Sequence, residues 1–119
     1  MHELSVCQAL IDQVENLARE QRARRVLSLV VGVGPLSGVE ISLLKQAYPV
    51  AAAGTVAEGA ELELEPRPVR VHCRTCGEDS AATANRLLCA SCGDWQTDLV
   101  SGDELVLTRV EFLREQAYV

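Results

Sequence analysis

Residues 73–95 read CRTCGEDSAATANRLLCASCGDW, two Cys-x2-Cys pairs separated by twelve residues, each pair followed directly by glycine. The short CxxC turn lets backbone amides fold back toward sulfur, and the glycine accepts the backbone turn behind it. Two such knuckles close a tetrahedral site of four thiolates, so Cys73, Cys76, Cys89 and Cys92 are the candidate metal ligands. Zinc matches best, because four soft thiolates leave no open coordination position and need no redox chemistry; rubredoxin-type iron or an iron-sulfur cluster stays open as the alternative. A closed site of this kind cannot activate water, which argues against zinc hydrolase chemistry. Apolar side chains within the loop are few, essentially Leu87, Leu88, Trp95 and Leu99. The metal is therefore expected to supply much of the local folding free energy, on the order of 10 kcal/mol. His72, directly before Cys73, is a candidate to support the thiolates or to exchange into the site.

Working outward, Pro66 and Pro68 break the chain before this segment, and Ser101 and Gly102 follow it. Residues 69–101 thus read as an inserted four-cysteine, zinc-ribbon-like domain, with 1–68 plus 102–119 forming the domain around it. On the amino-terminal side, Leu4, Cys7, Leu10, Ile11, Val14, Leu17 and Ala18 follow the spacing of an amphipathic helix to about Arg22. A β-branched run then predicts a largely buried strand over Val26 to Val33. A second helix is expected with Ser37 as cap and Glu40 three residues later as in a capping box, lined by Val39, Leu43, Leu44 and Ala47 and stopped by Pro49. Residues 50–60 read as a loop or a frayed helix end. The alternation of Glu61, Glu63 and Glu65 with Leu62 and Leu64 predicts a half-buried strand, and ELVLTRVEFL after Gly102 and Asp103 another. The fold class expected is α+β: two helices packed on a small, about three-stranded sheet, carrying the inserted domain.

The 119 residues allow one modest core and one small module. With 17 acidic against 11 basic residues the formal charge is -6, the wrong sign for a protein that lives on phosphate backbones, so no nucleic acid partner is expected. No leader pattern and no apolar run approaching the roughly 20 residues of a membrane span is present, which together with unpaired thiols predicts a cytoplasmic protein with no membrane partner. Cys7, outside the knuckles, reads as a buried inert thiol.

The amino terminus reads MHELS. Methionine before histidine is expected to be retained, which places an α-amine, two backbone nitrogens, an imidazole and a carboxylate within Met1, His2 and Glu3. Nickel(II) and copper(II) favour planar or tetragonal nitrogen and oxygen donors of this kind. The plainer explanation is an ordinary helix start, with Glu3 complementing the positive end of the helix.

Together, MHELSVCQALIDQV, GPLSGVE, GTVAEGAELELE, the CxxCG pairs and GDELVLTRVEFL resemble the HypA/HybF family of hydrogenase nickel-incorporation proteins, in order and over nearly the whole chain. The resemblance implies a nickel metallochaperone, not an enzyme, acting in maturation of nickel-iron hydrogenase and in some members of urease. It implies nickel ligation by Met1, His2 and Glu3, with Glu40 as the acidic residue of the SGVE motif, and zinc ligation by the four cysteines. Implied partners are the nickel-supplying GTPase HypB and the hydrogenase large subunit, with a monomer or homodimer as the working form. GVGPLSG is not followed by GK[ST], so GTP hydrolysis is expected to belong to another chain. The competing expectation is a zinc-ribbon adaptor that binds protein partners without moving nickel.

Overall fold

A computed structural model describes residues 2–114. Met1, the expected amine donor, and residues 115–119, the end of the expected outer domain, lie outside the described residues. The elements run α1 (Glu3–Glu20), β1 (Ala23–Val33), α2 (Ile41–Ala52), β2 (Glu61–Pro66), β3 (Arg70–Cys73), β4 (Asp79–Ala81), β5 (Thr97–Ser101) and β6 (Leu105–Arg114). One three-stranded sheet has the order β2-β1-β6 and a second the order β4-β3-β5. Two helices and a small sheet, with a separate cysteine-bearing sheet, make the α+β class expected. No helix among the described residues is long and apolar enough to cross a membrane.

The chain divides into two compact units, one of Met1–Val31, Val39–Leu64 and Leu107–Val119, the other of Gly32–Gly38 and Glu65–Val106. The first has its core in the apolar stripes of α1 and α2, which pack on each other, and in the buried run of β1. Cys7, Leu10, Ile11, Val14 and Ala18 of α1 are buried with Leu44, Tyr48 and Ala52 of α2 and Val26, Leu29, Val30 and Val31 of β1. Each of these recurs at the spacing its element dictates: three and four in the helices, a continuous apolar run in the central strand. Cys7 is fully buried and its thiol donates to the Leu44 carbonyl at 3.6 Å.

Several details depart from expectation. Leu4 and Leu17 are exposed, because both fall on the margins of the α1 stripe, whereas Glu3 falls inside it, four residues before Cys7. Ser37 does not cap α2. Its N–H closes a turn onto Gly34, Gly38 takes a φ of 79°, and the helix begins after Glu40, with no side-chain cap. Leu43 is exposed, and the buried line of α2 is Leu44, Tyr48 and Ala52. Pro49 does not end the helix; it lies inside it, and Ala53 N–H returns to the Pro49 carbonyl at 3.2 Å. Proline removes only its own N–H, so the turn that follows can still close.

The second unit takes in the end of β1 together with the segment that carries the cysteines. Arg67 N–H donates to the Val33 carbonyl and Gly34 N–H to that of Glu104, at 3.0 and 2.8 Å. A Cβ on Gly34 would sit 2.1 Å from the Gly102 carbonyl oxygen, so only glycine permits this approach. β3 pairs antiparallel with β4 (Val71↔Ser80, His72↔Asp79) and with β5 (Val71↔Leu99, His72↔Asp98). Val33, Val69, Val71, Cys73 and Cys89 are its buried apolar residues, while Trp95 is 74% exposed and Leu99 lies at the surface. The core expected from Trp95 and Leu99 is therefore smaller still, and the cysteines occupy its centre.

Candidate metal centre

The two knuckles are built alike. In the first, Cys73 N–H donates to the Glu78 carbonyl at 2.9 Å, Cys76 N–H turns back to Cys73 Sγ at 3.4 Å, and Gly77 N–H reaches the Cys73 carbonyl at 3.0 Å. In the second, Cys89 N–H donates to the Asp94 carbonyl at 3.0 Å, Cys92 N–H to Cys89 Sγ at 3.4 Å, and Gly93 N–H to the Cys89 carbonyl at 2.9 Å. Gly77 and Gly93 hold φ of 78° and 79°, the left-handed turn for which each CxxCG places a glycine.

All four ligand atoms lie within 4.8 Å of one another, and Cys73 to Cys92 and Cys76 to Cys89 are each 3.6 Å between sulfurs. A tetrahedral ion with bonds of about 2.3 Å would need edges of about 3.8 Å, close to the two shortest, so the four sulfurs fit as donors to such an ion. Cys73 and Cys89 are buried, and Cys76 and Cys92 face outward.

The four thiols cannot all ionise without a cation among them. Hydrogen bonds from backbone amides, first those of Cys76 and Cys92, hold Cys73 below its ordinary range and bring Cys89 down to about 6. For Cys76 the Glu78 amide works in the same direction, yet burial and the neighbouring sulfurs together outweigh it and push the thiol up to about 12. Cys92 is raised likewise, against the Asp94 amide, by Cys73 and by burial. Each knuckle thus pairs one lowered thiol with one raised one, and binding a divalent ion displaces the protons that remain.

Side chains outside the cysteines tie the knuckles together, and the sequence reading missed them. Ser80, buried on β4, accepts the Ala90 N–H at 3.0 Å; the Thr75 hydroxyl donates to the Asp94 carboxylate; the Thr97 hydroxyl donates to the Leu87 carbonyl at 2.8 Å. Arg74 closes a fork on Asp98, with contacts of 2.5 to 3.1 Å. Only β3 pairing, which sets Cys73 opposite Thr97 and Val71 opposite Ser80, brings these groups together. His72 is exposed, its Nδ1 is 2.6 Å from Asp79 Oδ1, and it stands apart from the four-sulfur cluster. The strand alternates, so a residue beside Cys73 points to the other face.

At the start of α1, His2 is the exposed residue before the helix, and its carbonyl accepts the Val6 N–H at 2.8 Å. Glu3 is buried at 6% exposure, and its Oε2 accepts the Glu40 N–H at 3.1 Å, which joins the starts of the two helices. The positively charged amino terminus first, and the Glu40 amide second, hold the Glu3 carboxyl down at about 2 against the opposing effect of burial. The Glu40 side chain is exposed and accepts the Ser42 hydroxyl at 3.3 Å. The fold therefore brings Glu3 and Glu40 together beside His2. The signal for a buried Glu3 was its place on the apolar stripe of α1.

The family model described as hydrogenase/urease nickel incorporation, metallochaperone, hypA matches residues 1–112. The chain is 50% identical over 113 residues to the hydrogenase maturation factor HypA of Nitrosospira multiformis, covering 95% of this chain and 98% of that one. It is 40% identical over 111 residues to the factor of the same name from Aquifex aeolicus, covering 93% and 96%. The solution structure of the Ni metallochaperone HypA from Helicobacter pylori superposes with a TM-score of 0.74 at 26% identity, over 97% of this chain and 100% of that one.

Proposed function

Because this chain belongs to the HypA family of hydrogenase/urease nickel-incorporation metallochaperones, we propose that it binds Ni(II) at its free amino terminus and delivers it during maturation of nickel-iron hydrogenase. The observation that carries this reading is the bond from Glu40 N–H to Glu3 Oε2, which ties the start of α2, where Glu40 stands, to the start of α1, where Glu3 follows the exposed His2. In the proposal the Met1 amine, the adjacent backbone nitrogen and the His2 imidazole are the nitrogen donors, suited to nickel's planar preference. Glu3 fixes the start of α1 against α2, and the carboxylates of Glu3 and Glu40 close the acidic side. Cargo held at a chain end is open to ligand exchange, so transfer to a partner's donors needs no chemical turnover.

Cys73, Cys76, Cys89 and Cys92 would hold zinc, which supplies a closed structural cross-link rather than an open catalytic position. The proposed partners are the GTPase HypB, as the nickel-handling partner, and the hydrogenase large subunit as recipient, with urease as a further client and the cytoplasm as the place of work. Replacing His2 tests the site without touching the core: His2→Ala should retain zinc and fold, and lose nickel binding in calorimetric titration. Nickel bound as tightly by that variant as by the wild type would refute the assignment.

A further inference from the structure

Seven positions among the described residues take a left-handed backbone, and six of them are glycine; the seventh is Arg22, with φ 53°. Arg22 follows Gln21, the C-terminal cap of α1, where glycine is the ordinary residue because a Cβ crowds the carbonyl. The helix closes through Gln21 N–H to Leu17 at 2.9 Å and Arg22 N–H to Arg19 at 3.2 Å, bonds that use no side chain. A strained backbone kept for a charged residue directs attention to what the side chain does.

Arg22 does not stand alone. Arg19, Arg22, Arg24 and Arg25 fall within seven residues, and Arg114 joins the same turn by donating to the Gln21 side chain, so five of the eleven basic residues of an acidic chain gather at one end of α1. Arg22, Arg24 and Arg25 are exposed and have no carboxylate partner among the described residues. Arg19 and Arg22 line a cavity of about 360 Å3 with Ala18, Ala23, Val56 and Glu15. Arg19 already supplies a cation to the last turn of the helix, and Arg24 and Arg25, at the exposed start of β1, precede its apolar run, where charges deter mispairing. Neither explanation reaches Arg22.

We propose that the α1–β1 turn is a docking surface for an acidic segment of a protein partner, whose carboxylates pair with Arg19 and Arg22 while an apolar side chain between them covers Ala18, Ala23 and Val56. Guanidinium forks suit carboxylates, and Ala18, Ala23 and Val56 beside them give a peptide side chain a contact that a bare anion would not use. Glu15 in the cavity wall and the net charge of -6 act against polyphosphate backbones. The 18 residues of α1 span about 27 Å, so a partner held here leaves the region of Glu3 uncovered.

The test is fluorescence anisotropy of the full chain with a short labelled peptide alternating glutamate with leucine. Binding should weaken as salt rises, and a lysine-leucine peptide should not bind. Arg22→Gly should weaken binding roughly tenfold while raising the melting temperature, because it relieves the left-handed strain. Arg22→Gln, which keeps the Cβ, should weaken binding without that rise, and Arg22→Lys should retain most of it. Equal binding by all four proteins, or displacement of the peptide by equimolar inorganic phosphate, would overturn the proposal. The variants leave His2, Glu3, Glu40 and the cysteines untouched, so nickel titration of the same samples reads the carrier function separately.

Discussion

Tyr48 shows how one buried side chain sets the pH range of the fold. Its hydroxyl donates to the Ala57 carbonyl at 3.5 Å, and burial first, then the nearby Cys7, push the phenol up to about 12. A group whose folded pKa is raised contributes fully below its unfolded value of about 10, and that contribution is lost as pH rises through the folded one. Stability should therefore fall between about pH 10 and about 12, and Tyr48→Phe should flatten this arm in urea melts compared at neutral and at alkaline pH. An unchanged alkaline slope in the variant would contradict the assignment. At this scale the four cysteines were legible because their spacing carries their chemistry. Glu3 was legible as a residue but not as a buried one, since its partner, the Glu40 amide, is 37 positions away.

α2 is the element on which sequence and structure differ most. The pattern SGVE matched a capping box, but the helix starts at Ile41, because Gly38 turns the chain and the Glu40 amide goes to Glu3 instead. A tertiary bond thus overrode a local motif. Pro49 read as a stop, yet the helix runs to Ala52, since burial of Tyr48 and Ala52 outweighs the loss of one hydrogen bond. Pro49→Ala should give the Lys45 carbonyl a partner and stabilise the protein by about 1 to 3 kcal/mol in denaturant titration. A destabilised variant would mean that the proline is needed where it is. By contrast α1 and β2 stood close to where periodicity put them, and β1 covers the expected Val26 to Val33 but starts earlier, at Ala23, because its exposed first residues carry no apolar signal.

For the whole molecule, the two compact units should differ in what holds them. The unit containing α1 and α2 has an aliphatic core, whereas the one containing the knuckles buries little beyond Val33, Val69, Val71, Cys73 and Cys89. Chelating the metal, or Cys89→Ser, should melt residues 65–106 while the helical signal of α1 and α2 persists in circular dichroism, since structural zinc contributes on the order of 10 kcal/mol. Loss of helix in parallel with zinc would show that the units do not fold separately. The knuckles were legible in the sequence from Cys73 to Cys92, whereas the pairing of Gly34 with Glu104 and of Arg67 with Val33 was not, since no local signal announces it. The claim on which the functional account rests is that nickel is held at the amino terminus. The most direct measurement is calorimetric nickel titration of the untagged protein beside one carrying a single extra glycine before Met1, with zinc content determined in both. The account predicts that the extension abolishes nickel binding and leaves zinc at one per chain; equal nickel binding by the two proteins would contradict it.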